Sequence, residues 1–582
     1  MFTEKKQELF EKELRVKTSA SNNPFIYKGL QTSAETLSGN GSLKYSTTGN
    51  SFVDQFGKIG SYKAPRSYQE IASDMSILWV EDKLLATKFV LYLRLITRQT
   101  ELFDGTKLST TQRGAGMKHE SIVRMIWLAI NHKEAFYNTI GLFISAGSWN
   151  DVIQMLSYDL QFNGWDGKML NWEFMGKVIM AGLENENTTN LVRKYLPSIR
   201  PTKRCNTVAS QADNLISKWI CSLIFGNKSE ENPGVTYKLY RELKKNGTAH
   251  QWQQLISQGK HKLVNFNTVH GRALSLLVSG KYLANNGLEE KYEEWIASKP
   301  IAKFTGYPHE LFAKMPTKKY QVDTLNAQFK GLVETAKSGA NKNTGMIVVR
   351  DTSGSMGSLA TGTKQSCFDI AKALALFFSE MLPEGYFANS WIEFNSDAKM
   401  HTWKGSTPYE KWVNDRSGYI GSTNFQSVIN LFARIKASGV SETDFPSGII
   451  CISDGEFNPS SLGATNVEAA RKTLRSAGFS DEYVDNFKIV LWNLQSGYYG
   501  SNTGKKFETY GDVKNVYYFS GYDASVIAFL TGVEGKTSEK EPATAEELFL
   551  AAMDISVFSP FSIGISSYPI IGSFALTRLI SS

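Results

Sequence analysis

From residue 344 to about residue 535, short apolar runs alternate with amphipathic helical patterns. The predicted strands cover residues 346–349, 390–394, 448–452, 487–491 and 516–519. The predicted helices cover residues 366–381, 425–437, 467–477 and 525–530. Parallel strands need crossover connections of about a dozen residues or more, usually helical. The alternation therefore predicts a doubly wound parallel sheet in this part of the chain.

The first predicted strand ends in Asp351-Thr-Ser-Gly-Ser355, which carries one carboxylate and two hydroxyls at spacings of two and four. Open α/β sheets place their binding sites outside the carboxyl ends of the strands. One carboxylate with two hydroxyls is a hard-oxygen set suited to Mg²⁺, which binds few carboxylates and keeps several waters. Taken alone, the segment is equally compatible with a hydrogen-bonded turn that holds no ion.

Two further polar loops follow predicted strands and make the metal interpretation more specific. Thr423 precedes the helix predicted at 425–437, and Asp454 follows the apolar strand predicted at 448–452. Together these oxygens form a site with an open position for an outside carboxylate or a water, which Mg²⁺ tolerates. The predicted ligands of Mg²⁺ or another divalent cation are Asp351, Ser353, Ser355, Thr423 and Asp454.

Apolar residues recur at helical spacing from about residue 67 to residue 335, with turn signals between the segments. The clearest predicted helices cover residues 122–130, 136–145, 151–160, 172–183, 214–224, 237–244 and 272–283. Consecutive short helices with little strand signal predict an α-solenoid, although no exact repeat period is visible. Residues 1–50 are rich in Ser, Thr, Asn and Gly, which predicts an extended arm with one short helix. The predicted helical domain covers residues 51–335.

Positive charge is concentrated in one part of the helical region. The chain carries a net charge of +8, and residues 193–272 contain 14 Lys and Arg against 4 Asp and Glu, a local balance of +10. A basic block inside a folded region indicates a polyanionic partner such as a nucleic acid. A solvated surface without a partner remains the alternative.

The strand-end motifs resemble the metal-ion-dependent adhesion site of a von Willebrand factor A domain. The resemblance implies that Asp351, Ser353 and Ser355 bind Mg²⁺ directly. It further implies that Thr423 binds in an open state and that Asp454 is held through water. In that family the usual activity is to bind a partner whose carboxylate completes the metal shell, so we expect binding rather than catalysis.

The helical segments resemble the Ro autoantigen (TROVE) family, most of all its uncharacterised plant, bacterial and phage relatives that join the same two domains. The resemblance covers roughly residues 40–535. It is carried by Glu81 to Arg94, Arg113-Gly-Ala-Gly116, Gly147-Ser-Trp-Asn-Asp151, Lys194-Tyr-Leu-Pro-Ser198, Tyr240-Arg-Glu-Leu243 and Tyr307-Pro-His-Glu-Leu311. It implies a HEAT-like helical ring or arch that binds small structured RNAs and the ends of misfolded RNA.

If the polyanion is RNA, Lys and Arg contacts to phosphates would give salt-dependent and largely sequence-independent affinity. Tyr195, Tyr240 and Trp252 lie near basic residues and offer stacking surfaces for unpaired bases, although core packing is the favoured interpretation for each one taken singly. The predicted phosphate contacts are Lys194, Arg200, Lys203, Arg204, Arg241, Lys244, Lys245, Lys260, Lys262 and Arg272.

Several other function classes lack support in the sequence. The seven His show no zinc-hydrolase spacing, and no Gly-x-Ser-x-Gly nucleophile motif is present. A metal-dependent nuclease is disfavoured because no second carboxylate cluster accompanies the predicted ion. The four Cys lack zinc or disulfide spacing, and the N-terminus lacks the apolar core of a signal peptide. These features favour a reducing, cytoplasmic location, or a virion if the chain is of phage origin.

The tail, residues 536–582, contains an uncharged stretch at 555–577 that is long enough to span a bilayer. Its Pro, Gly, Ser and Thr make it a poor membrane helix, so no membrane partner is expected.

We therefore expect a multidomain α + α/β chain with an α-solenoid and an A-like domain at residues 344–535. The expected function is a non-enzymatic RNA-binding scaffold whose metal site binds a protein partner. The alternative is a protein-interaction adaptor or structural assembly component without an RNA role. The identity of the RNA, the protein partner and the oligomeric state stay open.

Overall fold

The chain forms two compact units in the computed structural model. The described residues are 35–37, 43–45, 48–59, 66–95, 114–162, 169–201, 204–226, 231–245, 251–269, 271–299, 301–304, 306–337, 345–360, 363–418, 420–454, 465–495, 513–521 and 544–553. The first, here called the helical unit, comprises Met1–Gly29, Pro65–His250 and Met553–Ser582. The second, here called the sheet unit, comprises Leu30–Ala64 and Gln251–Ala552. The predicted helical domain is thus distributed over both units, while the predicted domain boundaries themselves stay predictions.

The sheet unit begins with a hairpin and a short helix. Strands β1 (Glu35–Leu37) and β2 (Leu43–Tyr45) pair antiparallel. Helix α1 (Ser51–Gly57) starts at Asn50, whose side chain accepts hydrogen bonds from the next two free backbone N–H groups of the helix. The sequence predicted an extended arm with one short helix over residues 1–50, and this hairpin was not predicted. The short helix predicted at the very N-terminus lies outside the described residues.

The helical unit consists of helices over its described residues. They are α2 (Tyr68–Glu81), α3 (Lys83–Arg94), α4 (Lys118–Asn131), α5 (Lys133–Ala146), α6 (Trp149–Phe162), α7 (Trp172–Glu184), α8 (Thr189–Tyr195), α9 (Val208–Phe225) and α10 (Pro233–Lys245). Each predicted helix between residues 122 and 244 lies within one of these. Helix α2 shows why the periodicity was informative: its buried residues Tyr68, Ile71, Met75 and Leu78 recur every three or four positions.

A buried ion pair joins two helices of the helical unit. Arg94, at the end of α3, donates from Nε to Asp151 Oδ2 at 2.7 Å and from Nη2 to Asp151 Oδ1 at 3.0 Å. Both residues are buried, so this bidentate geometry is needed to offset their desolvation. Gly147 sits against the pair, and a Cβ there would lie 2.2 Å from Asp151 Oδ2. This packing explains the glycine in the Gly147-Ser-Trp-Asn-Asp151 motif.

Further helices precede the sheet within the sheet unit. They are α11 (Gln251–Ser257), α12 (Arg272–Ser279), α13 (Tyr282–Asn285), α14 (Glu289–Ala297), α15 (Pro308–Phe312) and α16 (Lys319–Lys337), with 3₁₀ turns at His261–Leu263 and Phe266–Thr268. The single helix predicted at 272–283 is wrong, because Gly280 is extended and separates α12 from α13.

The six-stranded sheet confirms the predicted α/β fold. Its strands are β3 (Met346–Asp351), β4 (Ser390–Phe394), β5 (Ala398–Thr402), β6 (Gly448–Ser453), β7 (Lys488–Asn493) and β8 (Val516–Ser520), in the order β5-β4-β3-β6-β7-β8. All neighbours pair parallel except β4 and β5. The antiparallel edge strand β5 was not predicted, because its sequence Ala-Lys-Met-His-Thr has no apolar run.

Helices cover both faces of the sheet. The helices that follow β3 in the chain are α17 (Cys367–Ser379), α18 (Pro408–Asn414), α19 (Gln426–Ala437), α20 (Asn466–Ser476), α21 (Asp481–Asn486) and α22 (Ala545–Met553). Ile347 and Val349 of β3 join a core with residues of α19 and α20, whereas Arg350, on the other face, lies against Phe368 of α17. This two-sided burial explains the nearly continuous apolar character of the strands. The helix predicted at 525–530 lies outside the described residues.

Within the sheet unit, the helices before the sheet pack on helices α17 and α18, which follow β3. Phe312 of α15 stacks on Trp412 of α18 with ring centroids 4.1 Å apart, and Phe329 of α16 contacts Phe377 of α17. At the other end, Phe549 of α22 contacts Phe52 of α1 with ring centroids 5.4 Å apart. These contacts explain why residues after 250 group with the sheet rather than with the preceding helices.

Two further predictions concern the whole chain. All four Cys are buried and unbridged in the structure. Across the described residues, no helix combines the length and apolar character needed to cross a membrane. The uncharged stretch at 555–577 lies outside those residues.

Candidate metal centre

The predicted metal ligands lie where the strand order of the sheet reverses. The chain runs from β3 outward to β4 and β5, and then returns to β6 on the other side of β3. Such a reversal opens a crevice outside the carboxyl ends of the two central strands, where α/β sheets bind ligands. Asp351 ends β3, and Asp454 follows the last residue of β6. The topology alone therefore brings two carboxylates to one crevice.

Asp351 is the buried centre of the site. Its side chain is fully buried, with Oδ1 accepting a hydrogen bond from the Ser353 N–H at 2.8 Å. Oδ2 accepts a hydrogen bond from the Ser453 hydroxyl at 2.5 Å. Burial, aided by the charge of Asp454, raises the pKa of Asp351 to about 6, although the hydrogen bonds from Ser453 and Ser353 lower it. The site therefore holds negative charge that a divalent cation would stabilise.

The two serine hydroxyls of the first loop have a spacing that fits one ion. Ser353 Oγ and Ser355 Oγ lie 3.1 Å apart. Adjacent oxygens of an octahedral Mg²⁺ site, each at roughly 2.1 Å from the ion, are separated by about 3 Å. Ser353 is buried and Ser355 is partly exposed, so the pair spans the boundary between protein and solvent. This arrangement suits a cation that keeps an open, solvent-facing position.

The loop that carries Thr423 is hydrogen-bonded to the loop of the first ligand. The Ile420 N–H donates to the Thr352 carbonyl at 2.7 Å, and the Gly354 N–H donates to the Gly421 carbonyl at 3.4 Å. Gly421 has a φ of +99°, a conformation that favours glycine and allows the chain to turn there. Thr423 itself is buried with 2% of its surface exposed. The structure therefore brings the Thr423 loop beside Asp351, as predicted.

Asp454, the fifth predicted ligand, directly follows strand β6. It is 2% exposed, and its charge acts on Asp351. Strands β3 and β6 pair with Arg350 opposite Ile452, which places their carboxyl ends side by side. Among the described residues, no group of three or more His, Cys, Asp or Glu is arranged to hold a metal ion. An ion at this crevice would therefore depend on hydroxyl oxygens as well as on the two carboxylates, and the donor set is the hard-oxygen type that Mg²⁺ prefers.

The sequence did not predict two groups that support the site. Ser453, the last residue of β6, fixes one oxygen of Asp351, and its only sequence signal is a hydroxyl directly before Asp454. Thr352 Oγ1 donates to Glu393 Oε1 at 3.2 Å and accepts from Asn395 Nδ2 at 3.1 Å. These contacts hold the backbone between the first two predicted ligands.

Six of the ten predicted phosphate contacts belong to the described part of the helical unit. Lys194, Arg200, Arg204, Arg241 and Lys245 are exposed, and Lys244 is partly buried. Burial lowers the pKa of Lys244, whereas the charge of nearby Asp213 raises it and that of Arg200 lowers it. Arg200 and Lys244 also both act on the carboxylate of Asp213. Arg200, Asp213 and Lys244 thus form a real basic cluster with a net charge of +1.

The remaining predicted contacts belong to the sheet unit or lie outside the described residues. Lys203 lies outside the described residues, and Lys260, Lys262 and Arg272 belong to the sheet unit. Arg272 pairs with Glu310 through two hydrogen bonds, one of them from Nε to Oε2 at 2.9 Å. Its guanidinium is therefore less available to phosphate than the sequence suggests.

The predicted stacking aromatics have different positions. Tyr240 is fully buried, and its hydroxyl donates to the Pro197 carbonyl at 3.0 Å, so it is a core residue, the interpretation that the sequence favoured, and cannot stack on a base. Trp252 packs against the apolar core of the sheet unit. Tyr195 is partly exposed, and Lys194 Nζ lies 5.2 Å from its ring centroid. Only Tyr195 of the three stays a candidate for base stacking.

Comparisons with known proteins add little to this site. Residues 345–555 match a family described as a domain of unknown function, DUF7788. No curated protein matches the chain significantly. Among solved structures, the chain is similar to the Ro (RSR) protein of Deinococcus radiodurans, with 12% identity and a TM-score of 0.32 over 72% of this chain and 88% of that one. This similarity is too low to support the fold assignment, which rests on the helices and the strand order described above.

Proposed function

We propose that the chain is a non-enzymatic scaffold whose strand-end site binds Mg²⁺ and, through it, a carboxylate of a protein partner. The observation that carries this proposal is the crevice at the reversal of strand order. There two buried carboxylates, Asp351 and Asp454, lie with two hydroxyls spaced 3.1 Å apart. A bound Mg²⁺ would offer an open coordination position to an outside oxygen ligand.

The surroundings of the site favour a protein partner. Ile420, whose backbone is bonded to Thr352 in the first ligand loop, has 76% of its surface exposed. Leu359, four residues beyond Ser355, has 50% exposed. Exposed apolar side chains beside a polar site are typical of interaction surfaces. A partner that offers a carboxylate with a neighbouring apolar side chain would match both features.

Isothermal titration with MgCl₂ tests the metal part of this function. The wild-type chain is expected to bind Mg²⁺ at one site, and Ser353→Ala is expected to bind it at least about tenfold more weakly because a ligand is lost. Ser441→Ala is the matched control, since Ser441 is an exposed serine whose hydroxyl contacts Thr443 rather than the site. Absence of saturable Mg²⁺ binding by the wild-type chain at millimolar concentration would exclude this proposal.

The partner is tested by quantitative mass spectrometry of proteins captured by wild-type and Ile420→Ser baits in Mg²⁺ and in EDTA. A true partner is expected to require both Mg²⁺ and Ile420. Proteins that bind equally in EDTA do not use the metal site. If every captured protein behaves in that way, the site does not serve partner binding.

A second function, RNA binding by the helical unit, is supported by a separate observation. Arg200 and Lys244 converge on Asp213, and exposed Lys194, Arg204 and Lys245 belong to the same basic block. Such a cluster attracts phosphates and gives salt-dependent affinity. Lys194 above the ring of Tyr195 adds a surface on which an unpaired base stacks.

The RNA function is tested by electrophoretic shift of structured and single-stranded RNA at low salt. We expect a salt-sensitive shift that the charge reversal Lys245→Glu, at an exposed lysine of the basic block, weakens. Lys133→Glu is the control, because this exposed residue of the same unit lies outside the basic block. If neither RNA is shifted, RNA binding is excluded. The protein-interaction adaptor without an RNA role would then be the function of the chain.

A further inference from the structure

Arg350 is a fully buried cation directly before the first predicted metal ligand. Neighbouring residues of a strand point to opposite faces of the sheet, so Arg350 faces away from the site of Asp351. Its guanidinium carbon lies 3.7 Å from the ring centroid of Trp391 and 5.0 Å from that of Phe368. The two aromatic rings hold the guanidinium in one position.

The polar partners of Arg350 lie at the start of the loop that carries Thr423. Nη1 pairs with Asp415 Oδ2 at 2.7 Å, and Nη2 donates to the Ser417 hydroxyl. Ser417 in turn donates to Asp415 Oδ1, from its hydroxyl at 2.6 Å and from its N–H at 3.0 Å. Lys372 Nζ donates to the Asp415 carbonyl at 2.9 Å. The beginning of the loop is therefore tied to β3 and to α17.

The same loop is fixed to the first ligand loop a few residues later. The backbone bonds of Ile420 to Thr352 and of Gly421 to Gly354 join the two loops, and Thr423 follows two residues after Gly421. Beyond it, the Asn424 N–H donates to the Asn395 carbonyl at 2.8 Å. Strand β3 thus carries Asp351 on one face of the sheet. Through Arg350, on the other face, it also fixes the start of the loop that carries Thr423.

We infer that Arg350 is a positioning residue of the metal site, which sets the place of Thr423 relative to Asp351 through Asp415 and Ser417. This inference rests on the proposed Mg²⁺ function and names a residue that does not itself touch the ion. A buried ion pair is often no more stabilising than well-packed apolar residues, because both charges lose their hydration. An apolar side chain at position 350 would not make the directional hydrogen bonds that Arg350 makes to Asp415 and Ser417.

Mg²⁺ titration calorimetry of Arg350→Met tests the inference, with Ser417→Ala as a milder variant in case Arg350→Met does not fold. We expect Arg350→Met to weaken Mg²⁺ binding by about tenfold, the lower end of the range for direct partners of metal ligands, because Arg350 acts on Thr423 only through Asp415 and Ser417. Ser417→Ala is expected to weaken it by a smaller factor in the same direction. Both variants keep all five predicted ligands.

A double-mutant cycle separates positioning from a general loss of structure. If Arg350 acts through Thr423, Arg350→Met should have almost no further effect on Mg²⁺ affinity in a Thr423→Ala background, but its full effect in a Ser355→Ala background. Equal effects in both backgrounds would overturn the inference. Lys411→Met is the control, since Lys411 pairs with Glu380 at 2.6 Å and with Asn389 rather than with the Thr423 loop.

The outcomes distinguish this inference from the function on which it depends. If the wild-type chain binds no Mg²⁺, the proposed function fails. If Ser353→Ala weakens Mg²⁺ binding while folded Arg350→Met and Ser417→Ala bind like the wild type, the function stands and the positioning role of Arg350 is wrong.

Discussion

The strand-end site and the basic cluster are built in different ways. In the sheet unit, Asp351, Ser353 and Ser355 belong to one loop, and two neighbouring elements bring Thr423 and Asp454 to the same crevice. In the helical unit, the cations come from the end of α8, the segment after it and the end of α10. A strand fixes the position of every residue at its end, whereas a helix distributes nearby residues around its axis.

This difference decides how much a local sequence pattern says about a site. At the carboxyl end of a strand, residues two positions apart share a face, and the reversal of strand order then sets their neighbours. On helices, a high local charge shows only that the surface is basic. Arg272 and Lys244 illustrate this limit, because one is engaged by Glu310 and the other is partly buried beside Ser198. We therefore expect sharper effects from substitutions in the strand-end site.

The largest effect is expected for Asp351→Asn. Removing the charge of the buried carboxylate should weaken Mg²⁺ binding by more than about a hundredfold, because a direct ligand contributes more than the residues around it. Mg²⁺ binding is measured by titration calorimetry, and the thermal stabilisation by Mg²⁺ should disappear in parallel. Asp481→Asn is the control, since Asp481 is an exposed carboxylate that pairs with Arg475. Unchanged Mg²⁺ affinity in Asp351→Asn would show that the ion does not bind at this crevice.

The second prediction concerns pH. Burial raises the pKa of Asp351 to about 6, above its ordinary value near 4, so the folded chain without metal binds more protons than the unfolded chain between these values. The free energy of unfolding without Mg²⁺ should therefore fall as pH rises from about 4 to about 6. Protons compete with the cation, so Mg²⁺ affinity should fall by about tenfold for each pH unit below 6.

Calorimetric titrations between pH 5 and pH 7.5 measure this competition. Asp351→Asn offers the control for the stability part, because its unfolding free energy should lose the decline between pH 4 and pH 6. An Mg²⁺ affinity that is constant across this range would contradict a role for Asp351 as a ligand.

The sequence indicated which strand ends and loops lie together and missed the groups that support them. Apolar strands that each end in a polar residue are a local signal, which is why Asp351 and Asp454 lie at neighbouring strand ends and the Thr423 loop is bonded to the first ligand loop. That these residues bind an ion stays a prediction. The contact of Arg350 with Asp415 joins residues 65 positions apart, and nothing in the short sequence around either residue indicates it. Strand β5 was missed because pairing with β4, rather than its own apolar content, makes it a strand.

In the helical part, periodicity predicted most helices but not what each polar residue contacts. Tyr240 belongs to the basic helix α10, yet its side chain is fully buried. The break at Gly280 depends on one residue within an otherwise regular pattern. Burial and pairing of side chains depend on packing between helices, which a single helix's sequence does not specify.

The third prediction concerns the exposed lysine Lys245 in the basic block of the helical unit. Lys245→Gln should weaken RNA binding modestly and reduce the slope of log affinity against log salt by about 1, because one phosphate contact is lost. Lys245 is preferred to Lys244 here, since Lys244 Nζ donates to Ser198 Oγ at 2.8 Å and its loss would also disturb the fold. Filter binding at several salt concentrations measures the slope, and Lys133→Gln should leave it unchanged. An unchanged slope in Lys245→Gln would remove this residue from the RNA surface.

The smallest effect on RNA is expected at Arg272, even though the sequence placed it among the phosphate contacts. Its guanidinium pairs with Glu310, so Arg272→Gln should change RNA affinity by less than about twofold and stability by at most about 1 kcal/mol, as for other half-exposed ion pairs. Filter binding and chemical denaturation measure the two effects. Glu310→Gln provides the complementary test, because it would leave Arg272 without its carboxylate. Tighter RNA binding by Glu310→Gln, together with weaker binding by Arg272→Gln, would show that RNA competes with Glu310 for this arginine.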